Sequence, residues 1–260
     1  VSTRARLRIA FQGELGSFSD EAIQQLYGGD VQRLPYRDFA DVTASVVAGV
    51  ADRGVLPIEN TMAGSIAGAH DAISAMEGLY IVGETVVAVH HCLLAPPSTT
   101  FEQITTVLCH PVALAQCQKF FAEHPQLEVH PSYDTAGAAM DVSRVADPAF
   151  AAVASRRAAL HYDLQILRSD IEDRPDNQTR FLTLSRAPMP LPNGTPARTM
   201  FVVTTGDTPG ALLNVLTPLA THGVSIRRLE SRPTGEPWTY RFFIEFDHGV
   251  GDKHAQAAIQ

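Results

Sequence analysis

The densest set of residues able to hold and polarise a small anion in this 260-residue chain is Asn177-Gln178-Thr179-Arg180-Phe181. Asp173-Arg174-Pro175-Asp176 before it is a polar break, so a loop delivers the hydroxyl and the guanidinium to the start of a strand. An arginine entering a buried strand is costly unless it meets a carboxylate, which its planar fork fits. Two explanations for Arg180 stand on the residues alone. One is an internal salt bridge with Glu59 or Asp176, the other a carboxylate of a ligand.

Five further segments share small hydroxyl residues and glycine: Gly16-Ser17-Phe18-Ser19, Glu59-Asn60-Thr61 with Gly64-Ser65, His110-Pro111, Asp134-Thr135-Ala136 and Ser155-Arg156-Arg157. Each reads as a strand-to-helix junction. In a parallel sheet such junctions gather at the carboxyl ends of the strands, where helix N-termini favour anions. Any one hydroxyl serves equally as a helix cap.

Other chemistries fit poorly. Gly13-Glu14-Leu15-Gly16-Ser17 has neither dinucleotide-binding glycine spacing nor a phosphate-binding lysine, so no nucleotide cofactor is expected. His90 and His91 are adjacent, hence on opposite faces of a strand, and no metal is expected. With 20 basic against 28 acidic residues the net charge is -8, and without a basic cluster nucleic acid is not an expected partner. The apolar stretch 85–95 is short for a bilayer and is broken by the histidine pair, and no leader pattern opens the chain. Three cysteines, Cys92, Cys109 and Cys117, suit a reducing cytoplasm.

The elements that must position these residues follow from periodicity. Strands at 7–11, 31–34 and 54–58 alternate with helices carrying Ala22, Ile23 and Leu26, then Phe39, Val42 and Val46, then Ile66, Ala69 and Ile73. Three βα units in a row predict a parallel sheet. Residues 86–94 read as one buried strand, and Pro96-Pro97-Ser98 as the crossing into a second α/β lobe with strands at 107–109, 127–129 and 150–154 and helices from Pro111, Thr135 and Ser155. A strand over 180–184 brings the lobes together. Pro188-Met189-Pro190-Leu191-Pro192-Asn193-Gly194 reads as a linker. Beyond it a βαββ pattern has strands at 199–204, 224–230 and 239–246, the last with Tyr240, Phe242, Ile244 and Phe246 inward, and a helix bearing Leu212, Val215, Leu216 and Leu219. A complete ferredoxin-like unit needs one more helix and strand, so a truncated C-terminus is expected.

Taken in order, Gly16-Ser17-Phe18-Ser19, Pro57-Ile58-Glu59-Asn60-Thr61, His110-Pro111 with Ala113-Leu114-Ala115-Gln116-Cys117, Asn177 to Phe181, and Glu230-Ser231-Arg232-Pro233 resemble the prephenate dehydratase family along nearly the whole chain. The resemblance implies two α/β lobes around a cleft, periplasmic-binding-protein-like, followed by an α+β ferredoxin-like ACT domain. It sets a catalytic domain at 1–187 (lobe 1 about 1–88 plus 168–187, lobe 2 about 89–167), a linker at 188–197 and the ACT domain at 198–260. The implied enzyme is a carbon-oxygen lyase of phenylalanine biosynthesis, turning prephenate into phenylpyruvate with loss of water and carbon dioxide. Aromatisation drives that reaction, so no cofactor is required. A homodimer or homotetramer in the cytoplasm is implied as well.

Carried onto this chain, the resemblance makes Thr179 the hydrogen-bond donor to the departing hydroxyl, Arg180 the clamp on a substrate carboxylate, and Glu59 a possible proton source. Ser17, Asn60, Thr61 and Thr135 would supply further donors, and Phe18 and Phe181 would wall the ring. Core packing explains both phenylalanines as well. His110, at a helix N-terminus, reads as structural. The implied effector, L-phenylalanine, would sit on Gly210, Ala211, Leu212, Ser225, Glu230, Ser231 and Arg232. Thr208, Ser225 and Arg227 depart from the family's usual residues, which leaves selectivity for phenylalanine open. Two rivals remain: arogenate dehydratase, with an amino group in place of the side-chain ketone, and a non-catalytic small-molecule sensor.

Overall fold

The computed structural model describes residues 6–191, 195–237, 239–249 and 251–259. Two compact units divide at Pro188 and Met189. Pro192, Asn193 and Gly194 of the expected linker lie outside the described residues.

The first unit opens with β1 (Leu7–Gln12), α1 (Phe18–Tyr27), β2 (Val31–Tyr36), α2 (Phe39–Val47), β3 (Arg53–Asn60), the short β4 (Gly64–Ser65), α3 (Ala67–Ser74) and β5 (Tyr80–Ala88). The chain crosses to a second lobe made of β6 (Cys92–Ala95), β7 (Thr106–Cys109), α4 (Pro111–Gln116), α5 (Gln118–Glu123), β8 (Glu128–Pro131), α6 (Thr135–Val145), β9 (Phe150–Ala154), α7 (Arg156–His161) and β10 (Gln165–Arg168). It then returns as β11 (Gln178–Ser185).

Neither sheet is purely parallel, which corrects the sequence expectation. The first has the order β2-β1-β3-β11-β5 with β4 beside β3, and the second β10-β6-β9-β7-β8. β1 runs parallel to β2 and β3, but β11 is antiparallel to both its neighbours. In the second lobe β7 is parallel to β8 and β9, while β6 is antiparallel to β9 and β10. Apart from the two-residue β4, which is antiparallel to β3, the reversed strand in each lobe is the one that has just arrived from the other lobe. The expected single strand over 86–94 is correspondingly two strands in two sheets, with the crossing at 89–91 and not at Pro96.

Local chemistry sets the helix starts. Ser17 accepts from the Asp20 N–H and Ser155 from the Ala158 N–H, at the N-caps of α1 and α7. Asp134 caps α6 through the Gly137 N–H, and Pro111 follows the His110 cap of α4. One face of the first sheet packs Ile9, Phe11, Val55, Val87 and Phe181 against Ala22 and Ile23 of α1. On the other face Val42 and Val46 of α2 lie against Gly54 and Leu184.

The α1 and α7 N-termini meet across the lobes. The Ser155 hydroxyl donates to the Gly16 carbonyl at 2.6 Å, and Arg157 Nε donates to Asp20 at 2.7 Å. Gly16 has φ +85°, and a Cβ there would lie 2.8 Å from the Ala158 Cα. Gly16→Ala combines left-handed strain with a backbone clash, so it should destabilise the unit by more than ~1 kcal/mol, read as a shift in the urea midpoint. An unchanged midpoint would show that the two helix ends are not held this closely.

The second unit contains β12 (Arg198–Thr204), α8 (Ala211–Thr221), β13 (Ile226–Pro233), β14 (Tyr240–Asp247) and α9 (Lys253–Ile259), with sheet order β12-β14-β13, all antiparallel. Its core joins Leu219, Ile244, Phe246 and Ala255. Tyr240, expected inward, is exposed at the strand start. No described helix is long and apolar enough to cross a membrane.

Candidate active site

The register of β11 sorts the predicted residues. Thr179 pairs with Asn60 of β3 and Val87 of β5, and Arg180 pairs with Glu59 and Val86. Successive side chains in a strand point to opposite faces. Thr179, Asn60 and Val87 therefore share the face of α1, and Arg180 and Glu59 lie on the other. Arg180 Nη2 and Nε both contact Glu84 Oε2, at 2.6 and 2.8 Å. The clamp expected of Arg180 and the proton expected of Glu59 would therefore act from the face opposite the Thr179 side chain. An internal ion pair for Arg180 exists with Glu84. Asp176 is held by Arg174 instead.

Asn60 is fixed by groups that can only donate. The N–H groups of Met62 and Ala63 bond Asn60 Oδ1 at 2.9 and 2.8 Å, so its Nδ2 must face the other way. Nδ2 reaches Asn177 Oδ1 at 2.8 Å, Thr179 Oγ1 at 2.9 Å and the Gln178 carbonyl at 3.0 Å, two hydrogens serving three acceptors. An amide nitrogen does not accept, so Thr179 Oγ receives a hydrogen bond from Asn60. Its own proton is left to donate elsewhere. Asn177 Nδ2 continues to Gln116 Oε1 at 3.0 Å, which also contacts His91 Nε2 at 2.8 Å. All of these side chains are buried.

Gln116 and His91 were not named as site residues from the sequence, and Asn177 was named only as the start of the Thr179 stretch. Gln116 had a signal, since it is the one polar side chain of the short apolar helix α4 and faces inward. The others lie far apart in the chain and meet only through the lobe crossings.

Ser17 is buried as the α1 cap and Phe18 sets its ring edge-on to His91 at 5.7 Å. Phe18 thus borders the Thr179 network. Phe181 does not wall a ring, because it is 1% exposed within the lobe core. The Thr61 hydroxyl accepts from the Gln178 N–H at 2.9 Å and its backbone N–H donates to the Gln178 carbonyl, so it ties the 176–178 loop to β3. Thr135 opens α6 behind the Asp134 cap. His110 Nδ1 accepts from the Val112 N–H, and burial lowers its pKa against the pull of Asp134.

At the carboxyl ends of β1 and β2 a cavity of about 220 Å³ opens between Tyr36, Arg37, Glu14, Tyr133 and Asp134. Burial raises the Asp134 pKa, and Tyr133 donates to Glu14 at 3.1 Å. Its carboxylates make it a poor cradle for a dianion. His90 Nδ1 meets Glu172 Oε1 at 2.7 Å and Asp170 Oδ1 at 3.6 Å, a grouping the sequence did not predict, with the Arg156 guanidinium 2.8 Å from Asp170.

In the second unit Gly210, with φ +86°, is the N-cap of α8, and Ala211 and Leu212 form its first turn. Ser225 precedes β13. Ser231 pairs with Phe242 on the helix-covered face, whereas Glu230 and Arg232 pair with Phe243 and Arg241 on the other. Glu230 contacts Arg228.

Residues 9–189 match the family model for prephenate dehydratase and residues 199–260 that for the ACT domain. A bifunctional chorismate mutase/prephenate dehydratase of Enterobacter agglomerans is 34% identical over 97% of this chain and 66% of its own length. An arogenate dehydratase/prephenate dehydratase of Arabidopsis thaliana is 35% identical over 100% of this chain and 70% of its own. The structure of a prephenate dehydratase from Arthrobacter aurescens in complex with L-Phe is 34% identical, with a TM-score of 0.89 over 97% of this chain and 84% of that one. The chain spans just under two thirds of the length of the first of these relatives. With both family models in chain order and the Thr179 strand inside the first, this chain belongs to the prephenate dehydratase family of hydro-lyases and carries an ACT domain behind the catalytic unit.

Proposed function

We propose that the chain converts prephenate to phenylpyruvate, with Thr179 as the hydrogen-bond donor to the departing ring hydroxyl. The observation that carries this is the Asn60 Nδ2 contact with Thr179 Oγ1 at 2.9 Å, which leaves the threonine proton for a ligand. In the reaction the ring carboxylate leaves as carbon dioxide and its C–C electron pair enters the ring. The ring C–O bond breaks, and hydroxide leaves with one proton as water. Prephenate dianion plus a proton thus gives phenylpyruvate monoanion, carbon dioxide and water. A threonine hydroxyl is too weak an acid to lose its proton outright, so Thr179 stabilises the charge growing on the leaving oxygen and the proton comes from solvent. Thr179 is 8% exposed, and such burial favours loss of a carboxylate charge.

Arogenate dehydration is the second reading, favoured by the Arabidopsis relative's double name. Steady-state comparison of prephenate with arogenate separates them. A kcat/KM higher for prephenate supports the first reading, a higher value for arogenate replaces it with the second, and no product from either overturns both.

The same reading makes the ACT domain a site for an amino-acid effector, as the L-Phe in the Arthrobacter structure suggests. L-phenylalanine is the proposed effector, and a homodimer or homotetramer the proposed assembly. Three buried thiols, with burial raising the Cys109 pKa to about 12, suit work in the reducing cytoplasm.

A further inference from the structure

Resting on the Thr179 chemistry proposed above, we propose that His91 is a positioning residue that holds Gln116, and through it Asn177 and Asn60, in the one orientation that turns the Thr179 proton toward the substrate. The polarity of the whole network follows from its ends. The Met62 and Ala63 N–H groups fix the Asn60 amide, Asn60 fixes Asn177 as acceptor at Oδ1, and Asn177 Nδ2 then fixes Gln116 Oε1 as an acceptor. The contact of His91 Nε2 with that oxygen, at 2.8 Å, is therefore an N–H donor. His91 carries its proton on Nε2, and Nδ1 keeps a lone pair.

Four observations agree with a neutral, fixed ring. Nδ1 is buried with no hydrogen-bond partner among the described residues, so a proton there would be an unpaired buried donor. Burial lowers the His91 pKa, although Gln116 and Glu172 pull the other way. The residue is also held at both backbone groups, its N–H by Glu172 Oε2 at 2.8 Å and its carbonyl by the Ile171 N–H at 3.0 Å, where the outgoing and returning crossings run side by side. Phe18 fixes the ring edge. A Gln116 amide freed from His91 can turn over, presenting NH₂ to Asn177 NH₂. The two facing amide donors would repel and push Asn177 away from Asn60 Nδ2, loosening the Asn60–Thr179 contact that aims the hydroxyl, while the Met62 and Ala63 N–H groups keep the Asn60 oxygen in place.

Full-length chain with prephenate as substrate tests this through two variants. His91→Leu keeps the bulk but removes the donor, and should lower kcat about 10- to 100-fold while KM changes little, the pattern of a misplaced catalytic group. His91→Gln can offer an amide N–H to the same Gln116 oxygen and should restore most of the loss. If both variants keep wild-type kcat, or both lose it equally together with thermal stability, His91 is only packing and the proposal is overturned. Imidazole ¹⁵N spectra of the wild type, with His91 assigned through bonds from its own backbone amide, give an independent readout. Protonated Nε2 with bare Nδ1 is expected at neutral pH, and the other tautomer or an imidazolium overturns the proposal even if neither variant folds. A wild-type chain that turns over no prephenate instead overturns the reading of function, and is recognised before any variant is compared.

Discussion

Thr179→Val should fold as the wild type does and lose about 10²- to 10³-fold in kcat, the range for removing one aligned donor to a developing oxyanion. The substitution is close to isosteric, and the partner it abandons is not left bare. Asn60 Nδ2 has two hydrogens and retains two acceptors, Asn177 Oδ1 and the Gln178 carbonyl. The buried amide therefore stays satisfied, and the loss falls on catalysis. KM should move little, because the hydroxyl proton contributes most once charge has built up on the leaving oxygen. Thr179→Ser keeps the hydroxyl without the methyl that restricts its rotamer, and should retain much of the turnover. Steady-state rates with circular dichroism on the same samples check both. Thr179→Val at near wild-type kcat would contradict the assignment.

Asp20→Asn should be the most damaging single change to stability, at about 3 kcal/mol, since breaking a buried pair strands its partners. Asp20 is 2% exposed and joins Arg33 of lobe 1, Arg157 of lobe 2 and the Gly16 N–H. Burial alone would raise its pKa. The Arg157 hydrogen bond, the Gly16 N–H and Arg33 together outweigh burial, and the net pKa is lowered. A carboxyl with a lowered folded pKa contributes stability that is complete above its unfolded value, near 3.9, and is lost as pH falls through the folded value. Urea unfolding at neutral pH should show the full gap between wild type and Asp20→Asn, and the gap should close in acid as the wild-type carboxyl protonates. A gap under ~0.5 kcal/mol at neutral pH, typical of a surface change, would show that the lobes are not joined through this residue.

Most elements were legible in the sequence because they depend on local pattern. Ser17 and Ser155 are caps, Pro111 opens a helix and Thr179 enters a strand, all as their neighbours indicate. Strand direction was not legible. The alternation over 178–185 is the same whichever way the strand runs, and only the return from lobe 2 places β11 antiparallel between β3 and β5. The break at 89–91 was hidden for a related reason: Val86 to Leu94 is continuously apolar apart from the histidines, while the hydrogen bonds that divide it come from Asn177, Ile171 and Glu172.

The candidate site divides in the same way. Thr179 and Asn60 are paired across β11 and β3, and each was nameable from its own segment. The opposite orientation of Arg180 also follows from strand alternation, a constraint that its charge obscured. Gln116 and His91 became visible only when the two crossings brought them to Asn177. In the proposed reading, a single network of amides anchored on two backbone N–H groups frees the Thr179 proton for a ligand.

Prephenate incubated with the wild-type chain, with carbon dioxide and phenylpyruvate followed together, tests that account most directly. The expected result is equal molar amounts of both over many turnovers, abolished to the extent stated above in Thr179→Val. Saturable prephenate binding with neither product, or products formed at an unchanged rate by Thr179→Val, would contradict it.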